Sequence, residues 1–180
     1  MKKISYFAFG IFCFLVLGSL TASAQSDSKK FSAGFGLEGG LPLGDAKESY
    51  HFTGGLTVRF AYHVGPGFVT LTTGAVAWLP KKFTGDDNTK ASLQIPVKAG
   101  YKYIFAKHFF VMGELGFSSF KIYYKDPVTD DLASSNYSGF TFAPTVGVNF
   151  NAFEAGIKYE STSLTGGSIS NIGLRLGFNF

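Results

Sequence analysis

Along Ser170–Phe180, Ile172, Leu174, Leu176, Phe178 and Phe180 alternate with Asn171, Gly173, Arg175, Gly177 and Asn179. A period of two marks a β-strand with one apolar and one polar face. Seven earlier segments share it to varying degrees. Phe31 to Leu41 sets Phe31, Ala33, Phe35, Leu37 and Leu41 against Ser32, Gly34, Gly36 and Glu38. His51 to His63 sets Phe52, Leu56, Val58, Phe60 and Tyr62 against Thr53, Thr57, Arg59 and His63. Phe68 to Leu79 has no clear phase, both its faces being small or apolar. Leu93 to Phe105 opposes Leu93, Ile95, Val97, Ala99, Tyr101 and Tyr103 to Gln94, Lys98 and Lys102. His108 to Phe120 opposes Phe109, Val111, Leu115 and Phe117 to Glu114 and Ser118, and Tyr137 to Phe150 opposes Phe140, Phe142, Val146, Val148 and Phe150 to Thr141, Thr145 and Asn149. Ala152 to Ser161 opposes Phe153, Ala155, Ile157 and Tyr159 to Glu154, Lys158 and Glu160.

The connections alternate in length. Val64 to Gly67, Ala106-Lys107 and Asn151-Ala152 are tight, Pro42 to Tyr50, Pro80 to Ser92 and Lys121 to Asn136 are long, and Thr162 to Ser168 is intermediate. Short turns at one end, long loops at the other and an even strand number are the pattern of bacterial membrane barrels. The aromatics follow. Tyr62, Phe68, Tyr101, Tyr103, Phe105, Phe109, Phe110, Phe150, Phe153, Phe178 and Phe180 lie beside the short turns or the carboxyl end. Tyr50, Phe52, Trp78, Tyr123, Tyr124 and Tyr137 lie near the long loops. Two interfacial girdles would collect them. The rival, a soluble β-sandwich or lipocalin-like barrel, also alternates but explains neither the loop asymmetry nor the terminal Phe.

The alternating carboxyl-terminal strand ending on Phe180, with Ile95-Pro96-Val97 set in the alternating fourth segment, resembles the bacterial outer-membrane β-barrel domain family, in particular its small OmpX/OmpA-like barrels. The resemblance implies an all-β fold, an eight-stranded antiparallel up-and-down transmembrane β-barrel. It implies that Phe178 and Phe180 serve as an assembly signal read by the barrel-assembly machinery, and roles such as envelope integrity or adhesion. Pro96 and Pro144 each remove a ladder donor and predict a bulge or a local break.

The amino terminus fits export. Met1-Lys2-Lys3 is basic, Ile4 to Leu20 is apolar, and Ala22-Ser23-Ala24 has the small-x-small form of a cleavage site. Residues 1–24 are therefore expected to be a cleaved signal peptide and 25–180 the barrel domain. Cys13, the single cysteine, leaves with the signal, so neither a disulfide nor a cysteine metal site is expected. Losing Lys2 and Lys3 takes the net charge from +4 to +2, no basis for nucleic-acid binding.

The polar face of a membrane barrel points into its lumen, and here it carries Glu38, Arg59, Lys98, Lys102, Glu114, Glu154, Lys158, Glu160 and Arg175. Eight strands enclose only enough space for side chains, and buried charges must pair. Hairpin register brings Lys98 opposite or diagonal to Glu114. A register with Glu160 against Ile169 puts Glu154 against Arg175. A plug that closes the lumen is favoured over a narrow pore on width. The functional reading is a monomeric structural or surface-interaction barrel of the Gram-negative outer membrane, the alternatives being a small-solute porin and a lipid A-modifying enzyme.

Chemistry is sparse. His51 with Ser49, Glu48 and Asp45 is the one loop set with nucleophile, base and acid, and no HExxH, Gly-x-Ser-x-Gly or P-loop pattern occurs. Asp86-Asp87-Asn88 and Asp126 with Asp130-Asp131 lack the spacing of a calcium loop. Neither catalysis, cofactor nor metal is expected. The partners expected are outer-membrane lipid and lipopolysaccharide, whose phosphates Lys81, Lys82, Lys90, Lys121 and Lys125 would meet as charged donors, and an extracellular ligand at the loops.

Overall fold

The computed structural model describes residues 30–81, 91–125 and 132–180, with side chains left out at 123–125 and 132–134. The signal segment 1–24 with Cys13 lies outside the described residues, as do Lys82, Asp86-Asp87-Asn88, Lys90, Asp126 and Asp130-Asp131, and as do the side chains of Tyr123, Tyr124 and Lys125.

Eight antiparallel strands run β1 (Phe31–Leu43), β2 (Tyr50–Val64), β3 (Gly67–Pro80), β4 (Ser92–Phe105), β5 (Phe109–Lys125), β6 (Leu132–Phe150), β7 (Phe153–Leu164) and β8 (Gly167–Asn179). Each pairs with its chain neighbours, and β8 pairs with β1, so the sheet closes without a free edge. Closure gives every strand a neighbour on both sides, which is what allows a sheet to sit in hydrocarbon. A four-residue helix, α1 (Ala46–Ser49), lies between β1 and β2.

The burial pattern is inverted relative to a soluble protein. Leu37, Phe117 and Phe153 are 60–65% exposed on the outer face, whereas Arg175, Lys98 and Glu114 are each 1% exposed inside. A soluble sandwich would hide the first set and solvate the second; this chain presents an apolar belt and a polar interior.

Turn chemistry fixes one end. Gly65 takes a positive φ of 59° before Pro66, Ala106 and Lys107 adopt φ of 47° and 68°, and Asn151 adopts 51°. Two successive positive φ values give the twist a tight hairpin needs.

Several expectations change. β5 and β6 stay paired as far as Lys125↔Leu132, so most of Lys121 to Asn136 is a hairpin arm rather than a loop. Leu164 pairs with Gly167, leaving a two-residue turn with Gly166 at φ 97° where an intermediate loop was expected. That tight turn sets Glu160 against Asn171 and Glu154 against Gly177, two residues from the predicted register. Pro96 and Pro144 interrupt ladders without shifting them: β3–β4 skips from Thr73↔Val97 to Val76↔Gln94, and β6–β7 skips from Phe142↔Ser161 to Thr145↔Lys158. The missing N–H explains each gap. An irregularity in register falls instead between Tyr50 and Phe52.

The aromatic assignment divides. Phe105 stacks on Phe109 with centroids 6.0 Å apart, His108 on Phe150 at 5.0 Å, and the Tyr101 hydroxyl donates to the Val64 carbonyl at 3.0 Å, as a girdle at the short turns requires. Trp78 and Phe110 are not in a girdle, each being 1% exposed inside the barrel.

Candidate functional site

Inward residues form three layers, beginning under the long connections. Trp78 and Phe120 meet edge-on at 5.9 Å and Trp78 meets Tyr50 at 5.5 Å; Ala46 of α1 and Val76 complete this buried apolar cluster. The indole ties the cluster to the layer below, its Nε1 donating to Gln94 Oε1 at 2.8 Å, as a buried Trp requires. Gln94 passes the link on, its Nε2 donating to Glu160 at 2.7 Å and to Ser118 at 3.1 Å.

Beneath lies a ring of alternating charge. Glu38 pairs with Lys158, Lys158 with Glu160 at 3.1 Å, Glu160 with Lys98, and Lys98 with Glu114 at 3.9 Å. Glu114 is 3.9 Å from Arg59, Arg59 Nη1 is 2.5 Å from Glu154, and Glu154 is 2.9 Å from Arg175. Arg175 Nε returns to Glu38 at 3.7 Å. Eight residues from six strands thus form a closed circuit in which no two neighbours share a sign. Hydroxyls support the circuit: Thr57 donates to Glu38 at 3.0 Å, and Thr72 donates to Glu114 at 2.5 Å while accepting from Arg59 Nε at 3.1 Å. Arg59 Nη2, Arg175 Nη2 and Glu114 Oε2 have no hydrogen-bond partner among the described residues. The alternation offsets much of the desolvation that makes an isolated buried charge costly.

Lys102 stands outside the circuit as the ninth member. Its Nζ is 2.5 Å from Glu154, 3.1 Å from Asn149 Oδ1 and 4.3 Å from the centre of the Phe110 ring. Below it the lumen widens into a vestibule of about 410 Å³ at the short-turn end, lined by Arg59, Lys102, Asn149, Asn151, Asn179 and Phe68 among others.

All nine charged lumen positions read from the alternation therefore share one space. Lys98 is opposite Gly116 and diagonal to Glu114, within the predicted alternatives. Arg175 reaches Glu154 despite the register difference, because it stands opposite Gly156, one diagonal away. Its direct cross-strand partner, Glu38, was not foreseen, and neither were Thr72, Trp78 and Phe110. A signal for Thr72 and Trp78 existed. The Gly65-Pro66 turn pairs Val64 with Gly67, which carries Thr72 opposite inward Arg59 and Trp78 opposite inward Thr53.

Asp45 and Glu48 are exposed at α1, and His51 is exposed at the start of β2. Among the described residues no hydrogen bond joins them with Ser49 into an acid-base set, and no group of three His, Cys, Asp or Glu is placed to hold a metal. Phe178 lies 6.0 Å from Phe35 and 5.3 Å from Phe153, on the seam where β8 closes the barrel. Phe180 exchanges two backbone hydrogen bonds with Ala33, at 3.1 and 2.8 Å.

The family profile described as outer membrane protein beta-barrel domain matches residues 11–180. Among solved structures, the N-terminal β-barrel domain of Pseudomonas aeruginosa OprF superimposes with a TM-score of 0.61 at 14% identity, covering 83% of this chain and 97% of that one. Ail, the attachment invasion locus protein of Yersinia pestis, gives 0.57 at 15% identity, covering 83% and 96%. Its complex with the heparin analogue sucrose octasulfate gives 0.56 at 15% identity, with the same coverage. At these identities the likeness is one of fold. No curated protein matches the chain.

Proposed function

The chain belongs to the outer membrane protein β-barrel domain family, and from that premise we propose that it is a non-enzymatic structural and surface-presenting barrel whose lumen is closed to solutes. Family membership places it in the outer membrane. The observation that carries the closed lumen is the charge circuit lying directly under the Trp78–Phe120 layer. A solute crossing from the long-connection end meets first an apolar stopper and then eight mutually paired charges, and displacing any one of them strands a buried partner.

The outward-reaching elements supply the presenting surface. The described part of the β5–β6 arm, α1 and Lys81 at the end of β3 all gather at the capped end. Lys81 and Lys121 stand where lipopolysaccharide phosphates would lie, and charge-assisted contacts to them are the interaction this end suits best. That Ail was solved with a sulfated sugar analogue agrees with a polyanionic partner for such a scaffold. Residues 1–24 are proposed to be removed on export. Phe178 and Phe180 on the closing seam are proposed to be the segment that the assembly machinery handles.

Planar-bilayer recording of the purified barrel tests the central claim. Closed lumens give no steady current; a steady ohmic current in single-molecule steps would replace this reading with the small-solute channel.

A further inference from the structure

We infer that a groove in the lipid-facing wall, running from β5 to β7 at the short-turn end, holds one acyl chain of a phospholipid of the periplasmic leaflet, with Lys107 on its phosphate. The outward positions step down in size along the ladder there. Phe109 on β5 pairs with Val148 on β6, and Val148 pairs with Ala155 on β7. One layer further from the turns, Ile157 pairs with Leu174. The result is a dip of about 420 Å³ in the apolar belt, walled by Phe105 and Phe109 on one side and by Ile157 and Leu174 on the other. Val148, Ala155 and the backbone of Gly147 and Gly156 line it between those walls. The Phe110 ring backs the two glycines from the lumen, 2.7 and 3.1 Å from where their Cβ atoms would stand, so the floor is held from behind.

Membrane placement decides what covers this face, and the inference rests on that placement rather than on the closed lumen. Every lining residue is apolar, and the volume falls within the roughly 300–1,000 Å³ of small-molecule sites. In hydrocarbon, covering an apolar groove gains no hydrophobic free energy. Contact selects the occupant instead, since a void forfeits the dispersion that its walls would gain. A flexible acyl chain follows such a dip, whereas the convex wall of a second barrel spans it. Charge selects the headgroup. Lys107 lies in the turn that joins Phe105 to Phe109, is exposed, and has no acid partner among the described residues. His108 beside it is already engaged, its ring stacked on Phe150 and its Nδ1 3.3 Å from the Asn149 carbonyl. Short turns face the periplasm in bacterial barrels, where the leaflet is phospholipid. Lys107 therefore stands at the depth of the phosphates and meets one as a charged donor. A second copy docked on this groove about a twofold axis would instead bring two Lys107 side chains together.

The test places the folded full chain in vesicles of phosphatidylethanolamine and phosphatidylglycerol doped with a phospholipid that carries a photoactivatable diazirine on one acyl chain. Labelled positions are mapped by mass spectrometry. Label should concentrate several-fold on Phe109, Val148 and Ala155 over Phe35 and Val58, exposed outward positions of the opposite wall. Ala155→Leu, which fills the dip with an apolar side chain, should bring Phe109 and Val148 down to the level of that wall. A second measurement, native mass spectrometry from micelles, compares phosphatidylglycerol with diacylglycerol of the same chains. One phosphatidylglycerol should be retained in preference. Lys107→Asn, which removes the charge with a residue that tolerates the positive φ, should weaken that retention about fivefold, the worth of one Lys at a lipid surface. Even labelling around the wild-type belt, equal retention of the two lipids, or a dimer whose contact shields the groove from label would overturn the inference. The wild-type arms decide it even where a variant does not fold.

Discussion

Glu38 on β1 stands directly opposite Arg175 on β8, with carboxylate and guanidinium 3.7 Å apart, so the charge circuit closes across the same seam that closes the barrel. Arg175 also bonds Glu154 at 2.9 Å. One side chain of the last strand therefore holds an acid on the first strand and an acid on the seventh.

Removing Arg175 while keeping its bulk leaves both acids underpaired in a water-poor space. Arg175→Met should cost about 3–5 kcal/mol of folding free energy, the range for breaking a buried pair from one side. The double variant Arg175→Met with Glu38→Gln should recover part of that loss. Urea titrations of folding into lipid vesicles measure both, and a wild-type midpoint for Arg175→Met would show the circuit to be energetically idle.

Trp78 is the chain's single tryptophan, and its position inside the barrel gives an optical test. Its indole is walled from lipid by the sheet and from the long-connection end by Ala46, Tyr50 and Phe120. Neither brominated acyl chains nor aqueous iodide should quench its fluorescence strongly. Strong quenching by brominated lipid would place the ring in a girdle after all.

Gly147 and Gly156 are cross-strand partners beneath Phe110. A Cβ on Gly147 would come within 2.2 Å of the Ala155 carbonyl oxygen and 2.7 Å of the Phe110 ring and of Gly156 Cα, whereas a Cβ on Gly113 meets nothing within 4 Å. Gly147→Val should thus destabilise the barrel by about 1–3 kcal/mol through overpacking. It should also dislodge the ring over which Lys102 sits. Gly113→Ala should stay within about 0.5 kcal/mol of wild type. The pair of unfolding midpoints checks the contrast, and equal effects would mean that the β6–β7 contact and the Phe110 ring above it give way.

The facing of seven strands was legible because alternation with period two is a direct statement about which side chains share a wall. The lumen charges were legible for the same reason, and Arg175 illustrates how robust this is. An even slip of two residues moves a side chain along its wall without turning it over, so Glu154 stayed within reach although the β7–β8 register was misjudged. The slip came from Gly166, whose positive φ permits a two-residue turn that composition alone does not distinguish from a longer loop. Trp78 was not legible from its own segment, since Val69, Leu71 and Ala75 outside resemble Val76 and Trp78 inside. In a barrel the inner face of one strand can be as apolar as its outer face wherever a stopper replaces a salt bridge. The β5–β6 arm was hidden for a related reason: past Lys121 the fifth strand pairs only with the sixth, and a two-stranded ribbon has no closed wall to impose an inner and an outer face.

Salt provides a last test of whether the charge circuit is sealed. Raising NaCl from about 0.1 to 1 M shortens the screening length from about 10 to 3 Å, which weakens exposed ion pairs but reaches buried ones much less. The circuit members Lys98, Glu114, Glu154 and Arg175 have side chains at most 2% exposed, so the wild-type stability should shift by less than an exposed pair contributes, about 1 kcal/mol at most. Trp78→Ala removes the layer above Gln94 and opens a path for ions to Glu160 and Lys98. In that variant the urea midpoint should fall progressively with salt, beyond the loss already present at low salt from the cavity itself. Parallel salt curves for wild type and Trp78→Ala would mean that the circuit is already solvated without the mutation, and the apolar layer would then not be what keeps the lumen shut.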